Sequence, residues 1–211
     1  MADAGSFWDK IAEGYDKGSR NKGPNYAARL ERAQAVFSPE GRVLDVGCAS
    51  GEITLDLAAH CGSILGIDLG GRMIEMAKAK VQERGVENAE FMAIDLMDSA
   101  LPVPEGGYDA VTIYSVFHLV PDVEGFVERV HAVLKPGGHV LCETPCLGDW
   151  MWFWGLAIGA AKLLGKAPAI VHRLKADDLE AMLRDAGFEV LDRNIYNPKS
   201  GQVCMLARKA G

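Results

Sequence analysis

Three carboxylates close three successive apolar runs. They are Asp45 in Arg42-Val-Leu-Asp-Val-Gly47, Asp68 in Ser63-Ile-Leu-Gly-Ile-Asp68, and Asp95 in Ala93-Ile-Asp-Leu96. An ionised carboxylate only accepts hydrogen bonds, so Asp68 suits the two hydroxyls of a ribose. Asp95 suits the exocyclic amine of an adenine, with Leu69 and Leu96 flanking the ring. Gly47 and Gly51 bracket Cys48, Ala49 and Ser50 in a loop beside Asp45. Glycine there lets the backbone turn sharply and approach a ligand. Together these residues describe a nucleoside slot. Each also has a plainer reading: a tight strand–helix turn for the loop, and a helix cap for Asp68.

The rest of the loop narrows the ligand. A dinucleotide fingerprint needs glycine at 47, 49 and 52, and this chain has Gly47, Ala49 and Glu52. A glutamate at the start of a helix should repel a pyrophosphate. No phosphate-loop lysine follows. An adenosine with a cationic or zwitterionic arm fits instead, which points to S-adenosylmethionine.

These groups need a scaffold that brings strand ends together. The apolar runs 42–47, 63–68, 89–94, 108–115 and 139–143 read as strands, with helical patterns between them. Strand–helix alternation with doubly buried strands implies a parallel sheet. The helix from Asp122 carries Val123, Phe126, Val127, Val130 and Leu134, and Lys135-Pro-Gly-Gly138 stops it. Late in the chain, Leu179, Met182, Leu183 and Ala186 form a helical stripe that Gly187 ends. Runs 188–195 and 203–207 then suit an antiparallel hairpin at the sheet edge.

The expected fold is α/β: a Rossmann-like, doubly wound, mostly parallel seven-stranded sheet with an antiparallel C-terminal hairpin and helices on both faces. It forms one domain over 1–211. Residues 6–37 make an N-terminal helical lid, 42–143 the cofactor-binding core, 145–173 an apolar acceptor or interface insert, and 174–208 the last helix and hairpin.

Several motifs resemble the class I S-adenosylmethionine-dependent methyltransferases, in particular the small-molecule branch that includes the ubiquinone and menaquinone methyltransferases. Val43-Leu-Asp-Val-Gly-Cys-Ala-Ser-Gly51 looks like the first family motif, with Ala49 where glycine is usual. Ile64–Asp68, Phe91–Asp95, Phe117-His-Leu-Val-Pro-Asp122, Leu134–Gly138, Asp177–Phe188 and Phe7–Asp16 resemble later or flanking motifs. The resemblance covers roughly 6–145 and 174–208. It implies that Gly47 and Gly51 border the methionine part of the cofactor, Asp68 the ribose, and Asp95 with Leu96 the adenine. Tyr15 would contribute from the lid and Tyr114 or Ser115 from the fourth strand. Asp45, Cys48, Ala49, Leu69 and Met73 complete the expected cofactor-binding set. S-adenosylhomocysteine would be the product.

Methyl transfer from a sulfonium needs alignment and exclusion of water more than acid–base help. An amine or alcohol acceptor must still lose a proton, and His118 is the leading base candidate. His172 is a second histidine near the expected pocket. Tyr114-Ser-Val-Phe117 supplies no acidic ligands, so no metal is expected. Pro145-Cys146 follows the fifth strand, the wrong place for a cytosine-methylating nucleophile, so Cys146 reads as structural. The acceptor should lie among Trp8, Tyr15, His118, Trp150, Trp154 and His172. Segment 150–164 is apolar almost all round, as in a buried or lipid-facing helix. It reads as a pocket wall, an interface in a homodimer, or a peripheral membrane contact through its tryptophans.

Composition limits the partners. With 22 basic and 29 acidic residues the formal charge is −7, which disfavours broad nucleic-acid binding. The five cysteines are odd in number and show no zinc-ligand spacing, as expected of a cytoplasmic protein with reduced thiols. The Trp150–Ala161 run is shorter than the ~20 residues that span a bilayer. The expected partner is a small, mainly apolar methyl acceptor of aromatic, quinone-like or lipid-like kind; the alternative is a non-enzymatic module of the same fold that binds the cofactor or a protein without transferring methyl.

Overall fold

The computed structural model describes residues 4–19, 22–23, 25–148, 167–197 and 201–211. Two helices open the chain, α1 (Ala4–Ser19) and α2 (Tyr26–Gln34). Then follow β1 (Arg42–Val46), α3 (Glu52–Ala58), β2 (Ser63–Asp68), α4 (Gly71–Arg84), β3 (Ala89–Ala93) and β4 (Tyr108–Tyr114). A 3-10 turn, Phe117–Leu119, leads to α5 (Val123–Val133) and β5 (Leu134–Pro145). The chain ends with α6 (Ala176–Asp185), β6 (Phe188–Asn197) and β7 (Gln202–Lys209).

The seven strands are ordered β3-β2-β1-β4-β5-β7-β6. Pairings from β3 through β5 are parallel, and β7 runs antiparallel to both β5 and β6. The chain steps outward in one direction from β1 and in the other from β4. The crevice between their carboxyl ends is therefore the topological switch point, where open α/β sheets bind ligands.

Alternate side chains of each strand point to opposite faces. On one face Leu44, Val46, Val111, Ile113, Val140, Cys142 and Met205 pack with Phe126, Val127 and Val130 of α5 and Leu179 and Leu183 of α6. On the other, Val43, Ile64, Ala110 and Leu141 pack with Ala33 of α2, Leu55 and Leu57 of α3, and Ile74 and Ala77 of α4. All five cysteines are buried. Cys146 is wholly buried, and its N–H donates to the Gly201 carbonyl at 2.8 Å.

The boundaries follow local chemistry. Asp122 caps α5 by accepting a 3.0 Å bond from the Gly125 N–H. The Lys135-Pro-Gly-Gly138 stop behaves differently from expectation. It ends the helix, but the extended chain begins at Leu134 rather than His139, with a register irregularity between Tyr108 and Ala110. Proline and a left-handed Gly137 fit such a strand opening, because they leave an irregular ladder rather than break a regular one. The short α3 begins after a left-handed Gly51 and ends at Ala59.

Candidate active site

The register sets the floor of the site. Asp45 of β1 lies beside Thr112 of β4, and Tyr114 of β4 lies beside Glu143 of β5. All four share the face that carries α2 and α3. Asp45 accepts bonds from Thr112 Oγ1 at 2.7 Å and Thr54 Oγ1 at 2.6 Å. Burial pushes its carboxyl pKa up, while these hydroxyls hold it down. Each oxygen already has a partner, so Asp45 braces β1, β4 and α3 beneath the loop.

The loop after β1 is built from left-handed residues. Gly47 and Gly51 have φ of 73° and 77°, and Ala49 has φ of 48°. A Cβ on Gly47 would strike the Val116 side chain, and one on Gly51 would lie 2.8 Å from the Phe91 ring. Both glycines are therefore required for close packing as well as for their backbone angle. Ala49 accepts the strain that glycine would avoid. Asp68 holds this strained peptide: its Oδ2 accepts from the Ala49 N–H at 3.0 Å and its Oδ1 from the Gly70 N–H at 2.8 Å. It does not occupy the N-cap position of α4, which is Gly70. Burial raises the pKa of Asp68.

Above the loop lies a cavity of about 400 Å³. Its lining includes Tyr15, Asp45, Gly47, Cys48, Ala49, Tyr114 and Ser115 from the expected set. Gly51, Asp68, Leu69, Met73, Asp95 and Leu96 are outside that lining. Asp68 reaches it through Ala49. Leu96 and Met73 are core side chains, whereas Leu69 is 44% exposed. Asp95 Oδ1 accepts from the Met97 N–H at 3.0 Å, which shapes the β3 loop next to β2. Trp8 packs edge-on against Tyr15 with ring centroids 6.2 Å apart, on α1. Trp150 and Trp154, with the rest of 150–164, lie outside the described residues.

His118 and His172 come together beside the end of β5 but do not line this cavity. The His172 N–H donates to the His118 carbonyl at 2.7 Å, and His172 Nε2 lies 2.8 Å from the Val120 carbonyl. A carbonyl only accepts, so His172 carries its proton on Nε2. His118 Nδ1 is 3.2 Å from Thr144 Oγ1. Burial and the neighbouring His172 lower the His118 pKa to about 4, so its ring is neutral at pH 7.

Arg29 was not singled out by the sequence, because one arginine in an amphipathic helix resembles any solvated charge. In the fold it lines the cavity and forms a fork with Glu143, Nε–Oε2 at 2.9 Å and Nη2–Oε1 at 2.7 Å. Its guanidinium also lies 5.0 Å from the Tyr114 ring centroid. Asn25 adds a 2.6 Å bond to Gln202. Glu52 corrects an expectation. Its carboxylate turns to Lys80 at 2.6 Å and Arg84 at 2.5 Å, so its charge is largely neutralised and the repulsion argument against phosphate loses force.

An adenosyl amino acid fits this setting. The buried Tyr114 Oη lines the cavity and has no hydrogen-bond partner among the described residues. Arg29 offers a cation for a carboxylate, and the strained loop exposes backbone to a ligand. The protein is thus an α/β fold whose two N-terminal helices line a cavity at the switch point.

The sequence model described as "Methyltransferase domain" matches residues 19–193, well over half of the chain. The chain belongs to that family, the class I S-adenosylmethionine-dependent methyltransferases, and S-adenosylmethionine is its cofactor. It is 32% identical over 163 residues to a "Ubiquinone biosynthesis O-methyltransferase" of Pseudomonas syringae, covering 74% of this chain and 69% of that protein. It is 38% identical over 103 residues to a "Demethylmenaquinone methyltransferase" of Lactococcus lactis, covering 47% of this chain and 40% of that protein. Among solved structures it resembles the N-methyltransferase NodS of Bradyrhizobium japonicum with S-adenosyl-L-homocysteine, at TM-score 0.65 and 18% identity, covering 89% of each chain. It also resembles the [4+2]-cyclase SpnF at TM-score 0.69 and 19% identity, covering 87% of this chain and 80% of that one. At such identities the structural likeness speaks for the fold, and one fold hosts more than one reaction.

Proposed function

We propose that this enzyme transfers the sulfonium methyl group to a small, mainly apolar acceptor of the aromatic, quinone-like or lipid-like kind, by in-line displacement. The observation that carries the reading is the cavity at the β1–β4 switch point, walled by the Gly47–Gly51 loop and the lid. The quinone-related names of the relatives supply the acceptor class.

Bound there, the cofactor supplies an activated methyl group. Asp68 would accept from the ribose, Asp95 with the exposed Leu69 would frame the adenine, and the Arg29 N–H groups that Glu143 leaves over would face the carboxylate. The lid residues Trp8 and Tyr15 would exclude water. The acceptor oxygen, nitrogen, sulfur or carbon forms the new bond to methyl, and the sulfonium sulfur keeps the electron pair of the bond that breaks. The acceptor's proton leaves separately. His118 would take it or accept its hydrogen bond. A ring with a pKa of about 4 is a weak base, which suits an acidic phenol better than an aliphatic alcohol.

This reading gives Trp150 and Trp154 the acceptor wall, with His172 at its edge. The competing uses of 150–164, a homodimer interface or a membrane contact, are tested by light scattering and vesicle sedimentation. The central test is twofold. Calorimetry should detect S-adenosylhomocysteine binding to the purified protein. A panel of phenols, quinols, thiols and amines with S-adenosylmethionine should then release S-adenosylhomocysteine chiefly with the phenols and quinols. Turnover confined to hydrophilic amines would overturn the acceptor class.

A further inference from the structure

The methyltransferase reading leaves one buried charged group without a task. Lys80 lies in the middle of α4, outside the expected cofactor set, yet its side chain is only 5% exposed. An ammonium has three protons to donate, and burial without partners is costly. Here the ammonium meets three separate elements. It pairs with Asp16 of the lid helix α1. It donates to the Ser50 carbonyl at 2.9 Å, inside the Gly47–Gly51 loop. It pairs with Glu52 at the start of α3 at 2.6 Å. Ser50 Oγ closes the circuit by donating to Asp16 Oδ1 at 2.7 Å. Asp16 and Ser50 are themselves buried, at 3% and 1% exposure.

This network joins the two walls of the cavity. Gly14, Tyr15, Gly18 and Ser19 line it from the lid, around Asp16. Gly47, Cys48, Ala49 and Ser50 line it from the loop. Other contacts also hold α1: Arg72 pairs with Glu13 at 3.7 Å, and Ala12 is wholly buried. Asp9 accepts from the Arg72 N–H at 2.8 Å nearer the start of α1, and Gly5 packs on the Leu69 carbonyl. Apolar contacts would tolerate a sliding helix, because they are not directional. A buried ion pair with satisfied donors fixes one geometry, and losing one partner strands the others.

We propose that Lys80 is a positioning residue that latches the lid to the cofactor loop, so that the closed cavity depends on the Asp16–Lys80–Ser50 circuit. The inference rests on the cavity being the S-adenosylmethionine site. Lys80 touches neither cofactor nor acceptor. It acts by fixing where Tyr15 stands relative to Ala49 and Ser50.

The test compares the wild type with Asp16→Asn, Lys80→Met and a control, Asp109→Asn. Asp109 pairs with Lys135 near the start of β4, at the other end of the sheet from the cavity. The first measurement is S-adenosylhomocysteine affinity by calorimetry. The second is trypsin cleavage after Lys17 and Lys22, with and without that ligand, well below the melting temperature. The latch predicts at least a tenfold weaker affinity for Asp16→Asn, together with loss of ligand-induced protection at Lys17. Asp109→Asn should lower the melting temperature but keep both affinity and protection. A double variant with Ser50→Ala should weaken binding by less than the product of the single effects, because both residues act on one ammonium. Unchanged affinity and protection in a folded Asp16→Asn protein would overturn the latch. If Lys80→Met fails to fold, Asp16→Asn still decides. If the wild type itself does not bind S-adenosylhomocysteine, the site assignment fails instead.

Discussion

The two faces of the central sheet use the same strands for opposite purposes. On the α5–α6 face, inward residues are almost entirely apolar: Leu44, Val46, Val111, Ile113, Val140 and Met205. On the α2–α3 face, the neighbours of those residues include Asp45, Thr112 and Glu143, all at or below 1% exposure. One face is dry core. The other buries charge and hydroxyl groups that apolar residues could replace with little or no loss of stability. The difference teaches that this polarity serves the switch-point crevice, since it is concentrated where β1, β4 and β5 reach their carboxyl ends.

The comparison can be attacked from both sides. The largest effect is expected from Glu143→Ala, which strands the Arg29 guanidinium. It should cost about 3–5 kcal/mol of stability, read by urea unfolding, and should also weaken S-adenosylhomocysteine binding. Next comes Leu179→Ala in the dry face. It should cost roughly 2–5 kcal/mol, as large-to-small core changes do, but leave ligand affinity within twofold of wild type. If it weakened binding as strongly as Glu143→Ala, the faces would not be functionally distinct.

Asp68→Ala should reduce S-adenosylhomocysteine affinity by roughly 10–100-fold, the worth of hydrogen bonds to a charged group. The pH dependence has a fixed sign. Asp68 in the free protein titrates above its ordinary range because it is buried, and ribose hydroxyls favour its ionised form. Affinity should therefore fall on acidification, beginning above the usual carboxylate range. Asp68→Asn should flatten that fall. Its effect on folding has the opposite sign: a raised carboxyl pKa means that this group's contribution to stability declines as pH rises through it. The smallest effect is expected from Ala49→Gly. Removing a left-handed Cβ should gain about 1 kcal/mol, less the entropy that glycine costs the folded state. Its affinity should stay near that of wild type, checked by thermal unfolding and calorimetry.

Legibility in the sequence followed the range of the interaction. Asp45, Asp68 and Asp95 could be placed at strand ends because apolar runs and glycines are local signals. Asp122 could be read as a cap for the same reason. Arg29 and Lys80 could not be found, because each is one cation in a helix. Their partners, Glu143 and Asp16, lie far away along the chain. The place of Glu52 in the sequence suggests a charge facing the loop, but Lys80 and Arg84 of α4 claim its carboxylate. The extension of β5 back to Leu134 was hidden too, since pairing with Tyr108 overrides the turn signal of Pro136 and Gly137.

The strand–helix alternation, the glycine turn at Gly47 and Gly51, and the carboxylate at the end of β2 are written locally along the chain. Periodicity, glycine freedom and burial act over a few residues, so a linear reading captures them. Which charges meet depends instead on how the elements pack. Long-range electrostatics depends on separation in space, and the sheet order β3-β2-β1-β4-β5-β7-β6 brings β1, β4 and β5 side by side. That packing gives Asp45 its threonines, gives Glu143 its arginine, and brings a lysine of α4 against both α1 and the loop.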